Sequence, residues 1–579
     1  MLIVKYIPDI LKPLLREIKF RLLKSKSFEY YEELRISLLN QWDRIIQNSK
    51  NIINDIDNNK NNKNILFVTG YGVMGHYQAI EPLIIMSLIV RGCKISSLYC
   101  NISLPACEVN IVGNNKPKSI NHYRKGIFNS TILDRCKHCK GNIEESYSRL
   151  PIDLMGLDLY LTVEDYSLAE KLSRSVKFEE FRSFVYNDIA VGEEAYSSIL
   201  RVTLMGEVKD TKINRHLVQR YIMSGILTVI GYEKAFTSTS PDRIVTIHGV
   251  YQTHGLAVKV AKKLHIPVIV LGGGGIRKDT AILCHGETYH LQLVNEPNDK
   301  WINKILTEEE RNKTIQYAIN KRTSGAGVDY LSYHPNPIED DKAIYDYCKI
   351  DRTRKIISLF TNVIWDAQIF YGGNAFENIF EWLFLTIETL ANNNNVWLII
   401  RIHPAESKSA MPTKQPMTEE IKQRFPMMPE NVKIIPPESD LSSYTLAKIS
   451  HSNIIYGTKM GLEIALMKRP LIICGETFSR NKGYGKDIIS RDQYIELLKN
   501  IHNYETNNEE NFETALKYAH YFYFRRMIDL PIESLNPGFG RTKTQRLLRF
   551  NSLEELKPGN NKAIDTICDG IINLTDFVL

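Results

Sequence analysis

The chain has 579 residues, 43% of them apolar and 24% charged, with a formal net charge of +7. That length accommodates two to four packed domains, and the composition excludes a disordered, collagenous or disulfide-stapled chain. The small excess of Lys and Arg does not point to nucleic acid, and suits anionic small ligands or an anionic lipid face. In chain order, residues 1–58 form a basic helical extension. Leu11, Leu14, Leu15, Ile18 and Leu22 recur at helical spacing. Seven Lys/Arg precede residue 27 against only Asp9 and Glu17. Residues 1–26 therefore read either as a helix docked on anionic lipid or as a helix packed on its own protein. Lys5, Asp9 and Lys12 break the first apolar stretch, so no secretory leader is expected. The run LIIMSLIV (83–90) is far shorter than the ~20 residues that span a bilayer. Nine dispersed cysteines fit a reducing compartment. The expected location is cytoplasmic, with the extension peripheral at the inner membrane face.

After an Asn-rich linker (54–64), ILFVTGYGVMGH (65–76) reads as a buried strand feeding a Gly-rich turn. DRIVTIHG, GLAVKVAKKLHI and PVIVLGGGG (242–275) make a strand, helix and strand. A second series opens with KIISLFTNV and continues through VWLIIRIHP, VKIIPPES, NIIYGT and PLIICGE, with helical segments between them. Two α/β series in tandem predict two Rossmann-like, doubly wound domains, 63–345 and 353–510, with a helical tail over 511–579. Ligands of such sheets bind at the carboxyl ends of the strands, which places the site in the cleft between the domains.

Four groups of residues could carry chemistry. Gly70, Gly72 and Gly75 form a loop that admits close backbone approach, and His76 at its mouth is a candidate general base. The region 94–101 supplies no acidic residue for a ribose, which disfavours a dinucleotide cofactor. Gly457, Thr458 and Lys459 follow a strand and open a helix, a suitable seat for phosphate, with Glu463 one turn on. In LIIRIHPAE (398–406), Arg401, His403 and Glu406 end a strand, and an arginine there suits phosphate. Cys100, Cys107, Cys136 and Cys139 are spaced C-x6-C-x28-C-x2-C, with Cys93 and His138 as substitutes. They read as a structural zinc site, then as an iron–sulfur site, or else as four reduced, partly buried thiols.

LFTNVIWDA (359–367), RIHPAE (401–406), YGTKMGLEIALMKRPLIICG (456–475) and SRNKGYGKDI (479–488) resemble the C-terminal half of capsule polysaccharide synthesis proteins. These are Kdo-transferase-like glycosyltransferases of bacterial surfaces. GYGVMGH, LPACE with CKHC, and GEEAYSSILR (192–201) resemble the N-terminal half of related proteins. The His-Pro pair is also similar to that of bacterial sialyltransferases, whose paired acidic motif is not evident here. The resemblance implies a GT-B fold that transfers a sugar from a nucleotide donor to a glycan or lipid-linked acceptor without a catalytic metal. Arg401, His403, Glu406, Gly457, Thr458, Lys459 and Glu463 would line the donor, and Arg480 and Lys482 would belong to a loop closing on it. Asp366 would face the cleft and His76 the acceptor. A nucleotide-sugar 2-epimerase of the same fold, or a non-catalytic membrane-docked assembly protein, remains an alternative.

Overall fold

The computed structural model describes residues 35–56, 63–73, 75–109, 130–273, 277–323, 329, 337–367, 371–391, 393–409, 411–535 and 545–579. The basic segment 1–26 and the side chain of His76 lie outside the described residues, so neither the lipid-docking expectation nor the role of His76 is addressed by it.

The first sheet is built from β1 (Asn64–Val68), β2 (Lys94–Tyr99), β3 (Asp153–Gly156), β4 (Arg243–Ile247), β5 (Val268–Gly273) and β6 (Thr280–His285). The second contains β7 (Lys355–Phe360), β8 (Val396–Arg401), β9 (Val432–Ile435), β10 (Ser452–Ile455), β11 (Leu471–Ile473) and β12 (Lys486–Asp487). Its order is β9-β8-β7-β10-β11-β12, parallel throughout. The sequence explains this. VWLIIR is buried at all six positions of β8, as a strand covered on both faces must be.

The first sheet departs from a purely parallel one. A strand of the tail, β13 (Ile528–Asp529), completes the order β13-β6-β5-β4-β1-β2-β3. β6 runs antiparallel to β5, and β13 antiparallel to β6. The expected helical tail is thus corrected. Helix Asn508–Tyr521 runs along the second domain, where Tyr518 donates to the Phe478 carbonyl at 2.9 Å. The chain then returns to the first domain as β13, a hairpin (Ile532–Leu535 with Gln545–Leu548) and helix Lys562–Asn573. The described part of the N-terminal extension meets this tail. Trp42 packs edge-on to Phe550 at 5.8 Å, and the Leu553 amide donates to Ser49 Oγ at 2.8 Å.

The return is fastened by a buried ion pair. Arg526 Nε donates to Glu296 Oε1 at 3.0 Å, and its other nitrogens reach the Phe577 carbonyl (3.2 Å) and Cys284 Sγ (3.2 Å). Removing one partner of such a pair strands a buried charge, which costs about 3–5 kcal/mol. Arg526→Ala is therefore expected to lower unfolding stability by about 3–5 kcal/mol in urea titration, with a smaller loss when Glu296→Gln is added.

Candidate functional site: the cleft between the sheets

Each sheet reverses its strand order once, between β1 and β4 in the first and between β7 and β10 in the second. Crevices form at the carboxyl ends of strands beside such points. β7 leads to Asn362 and the turn carrying Asp366, and β10 leads to Gly457, Thr458 and Lys459. From the first domain, β4 ends in His248, Gly249 and Tyr251, whose φ angles are +57°, +66° and +71°. A left-handed tyrosine is uncommon and costs on the order of 1–3 kcal/mol, so the surroundings must hold it.

What holds it is Asp366. Its Oδ1 accepts from the Tyr251 hydroxyl at 3.1 Å and from Arg201 Nη1 at 3.0 Å. The Ala367 amide donates to the same Tyr251 hydroxyl at 3.0 Å. Arg201 is also stacked over Trp365, with its guanidinium carbon 4.8 Å from the ring centre. The Asp366 carboxylate thus enters the cleft from the second domain, oriented by two side chains of the first.

His290 and Lys459 share its electrostatic environment, and His403 shares that of Lys459. Burial lowers the pKa of His290 to about 4, with Asp366 opposing and Lys459 reinforcing the shift. Burial, Arg401 and Lys459 likewise bring His403 to about 4, so both rings are neutral at pH 7. His403 Nδ1 accepts from the Ala405 amide at 3.1 Å, which leaves the ring hydrogen on Nε2. Lys459 is exposed to solvent within the cleft. The cleft walls nevertheless strip hydration from its ammonium, and with Lys321 nearby they lower its pKa to about 8. Among the described residues it has no hydrogen-bond or ion-pair partner.

Other predicted residues are engaged elsewhere. Arg401 is 2% exposed and clamps the loop after β9, donating to Pro436 O (2.5 Å), Ser439 O (3.1 Å) and Ser443 Oγ (3.2 Å). Glu406 is buried and accepts from the Met417 amide at 3.0 Å, which starts the next helix. Glu463 accepts from Tyr444 (2.7 Å) and pairs with Lys321 (2.9 Å), so both its oxygens are engaged in a buried network rather than offered to a ribose. The Gly457 amide donates to Asn362 Oδ1 at 3.2 Å, and Thr458 Oγ1 accepts from the Met460 amide at 3.3 Å. Arg480 is buried and donates to the Gly373 and Ile488 carbonyls, at 3.2 and 2.7 Å. Lys482 is 1% exposed and donates to the carbonyls of Val294 and Glu296, at 3.3 and 2.9 Å, joining the domains.

The first Gly-rich turn is covered rather than open. The Gly70 amide donates to Glu81 Oε1 at 3.0 Å. A Cβ at Gly72 would lie 2.1 Å from the Cys139 carbonyl oxygen, so this glycine is required by the packing of helix Ser130–Tyr147. Gly75 begins helix Gly75–Ile89. Cys100, Cys107, Cys136 and Cys139 do converge, lining one cavity at the ends of β1 and β2. No disulfide joins any of the nine cysteines. Among the described residues, no three His, Cys, Asp or Glu side chains are grouped so as to hold a single metal ion.

No family model matches the chain, and no curated protein matches it. Among solved structures, a beta-Kdo 2,4 transferase, KpsC of Thermosulfurimonas dismutans, is 13% identical with a TM-score of 0.29, over 49% of this chain and 80% of that one. The UDP-GlcNAc 2-epimerase of Neisseria meningitidis bound to UDP-GlcNAc is 11% identical with a TM-score of 0.23, over 79% and 97%. The spinosyn rhamnosyltransferase SpnG in complex with spinosyn aglycone is 9% identical with a TM-score of 0.23, over 79% and 96%. The assignment of the cleft rests on its own geometry.

Two outcomes are expected. Arg401→Ala should act on stability, because it leaves two buried carbonyls without donors at about 1–3 kcal/mol each. Its urea midpoint should fall, where a pure ligand-binding residue would leave it unchanged. Burial also raises Glu406 to about 7. A carboxyl bound more tightly to its proton when folded adds stability at low pH, and that stability is lost as pH rises through about 7. Glu406→Gln should flatten the fall in stability between pH 5 and pH 8, as followed by urea titration at each pH.

Proposed function

We propose that the cleft transfers a sugar from a nucleotide-activated donor to a hydroxyl of a growing surface glycan, of capsular or lipopolysaccharide type. The observation that carries this reading is the pairing of Asp366 and Lys459. They follow β7 and β10, the strands flanking the switch point, and bring into one cleft an oriented carboxylate and a cation that pairs with none of the described residues.

The chemistry follows from their states. Glycosyl transfer builds negative charge on the leaving phosphate. A cation in a partly dehydrated site stabilises that charge more than it would in water. Lys459 supplies the cation, and the Nε2 hydrogen of neutral His403 can donate to the same anion. Asp366, ionised beside Arg201 and fixed by Tyr251, is placed to take the proton of the attacking hydroxyl. No step here requires a metal ion. The acceptor enters from the first domain, and residues 1–26 would bring the enzyme to a lipid-linked acceptor.

Thermal unfolding with UDP, CMP, GDP and their sugars tests the reading. One of these should stabilise the chain, by about 2.7 kcal/mol at a hundred times its Kd. Lys459→Ala should cost about 10²–10³-fold in turnover and leave the unliganded unfolding temperature unchanged. Asp366→Asn should abolish turnover while nucleotide binding persists. Stabilisation by none of these nucleotides overturns the proposal. A free epimerised nucleotide sugar as product, with no glycan extended, would assign the cleft to epimerisation instead.

A further inference from the structure

The four cysteines at the ends of β1 and β2 are independent of the cleft chemistry. They line one cavity there. Every pair among them is within electrostatic reach: Cys107 of the other three, Cys139 of Cys100 and Cys136, and Cys100 of Cys136. These four come together from three places in the sequence.

The backbone around them is shaped toward sulfur. Immediately after Cys100, Asn101 and Ile102 have φ angles of +45° and +63°. A β-branched residue in that region is a genuine outlier, held only where its surroundings demand it. The turn directs the amides of Ile102 and Leu104 at the Cys100 sulfur, while the Ser103 amide donates to the Cys100 carbonyl at 3.0 Å. The Gly72 and Val73 amides point at the Cys139 sulfur. Concave sets of backbone N–H groups of this kind surround anionic sulfur in iron–sulfur sites. Cys107 is held by its neighbours. The Ala106 amide donates to Ser224 Oγ at 2.7 Å, the Tyr221 hydroxyl donates to the Cys107 carbonyl at 2.9 Å, and Glu108 accepts from Ser198 and Thr253. Arg135 and Lys140 also line the cavity, and their charge offsets that of bound thiolates.

We infer that Cys100, Cys107, Cys136 and Cys139 hold an iron–sulfur cluster at the carboxyl end of β1 and β2. A single zinc ion draws four sulfurs to within ~2.3 Å of one point, and no three of these side chains are grouped for one ion. A cluster is several atoms across, and its thiolates stand around a cavity, as these do. Its bound form would fasten helix Ser130–Tyr147 to the sheet.

The full chain, purified without oxygen, should contain iron and acid-labile sulfide in equal amounts, about two to four of each. It should show visible absorption that bleaches with dithionite. Cys139→Ser and Cys107→Ser should each lower bound iron at least tenfold, while Cys93→Ser leaves it unchanged. If a serine variant fails to fold, the iron, sulfide and bleaching of the parent chain decide the matter. One zinc per chain without sulfide overturns the cluster. So does failure to bind iron after anaerobic incubation with ferrous iron and sulfide. Neither result depends on whether the cleft transfers sugars.

Discussion

The contact on which the cleft depends is the carboxylate of Asp366 against Arg201 and Tyr251. Each partner is awkward alone. Tyr251 is in the left-handed region at φ +71°, as are Ala367 at +50° and His248 at +57°. Arg201 is 5% exposed and needs a counter-charge. Together they satisfy one another: Arg201 neutralises Asp366, and Tyr251 donates to Asp366 while accepting from the Ala367 amide. Strain on both sides of the domain boundary is thereby tied to one ion pair. Any rotation that opened the domains here would separate Arg201 from the Asp366 carboxylate.

Two lysines near that contact show how surroundings divide similar groups. Burial opposes the charge of Lys321, yet Glu463, Tyr523 and Asp329 hold its pKa above the ordinary value. It pairs with Asp329 and Glu463 at 2.8 and 2.9 Å. Lys459 loses hydration in the cleft and is repelled by Lys321, and the carboxylates act on it only at a distance, so its pKa falls. The cation of Lys321 is thus neutralised by two carboxylates, and that of Lys459 is paired with none among the described residues.

The alternation of apolar runs with Gly-containing turns made both sheets legible, because parallel strands buried on two faces have no other composition. The strand ends carrying Asp366, His403 and Lys459 were legible for the same reason. The use of each side chain was not. Arg401 ends its strand as an anion-binding arginine would, but what it meets is the Pro436–Ser443 loop, over thirty residues away in sequence. Gly70 and Gly72 have the spacing of a phosphate loop, and only the placement of helix Ser130–Tyr147 shows that they are covered. Tyr251 and His290 belong to no local pattern, and Arg201 ends a stretch whose pattern does not show its partner, since the meaning of these residues lies in pairs separated by more than a hundred residues or in the fold of the cleft. The return of the tail as β13 was hidden because two residues of a strand have no periodicity.

That return also bears on the cleft. Helix Tyr289–Asn295 presents His290 near Asp366 at its first turn. Its far end is fixed twice, by Lys482 from the second domain on the carbonyls of Val294 and Glu296, and by Arg526 from the tail on the Glu296 carboxylate. Lys482 thus spends its ammonium on the end of the helix that carries His290. Arg526 and Glu296 are 230 residues apart, and β13, which follows Arg526, lies in the first sheet. The first sheet is therefore completed only by chain that follows the second, and the same ion pair that fastens this return holds the far end of the helix carrying His290.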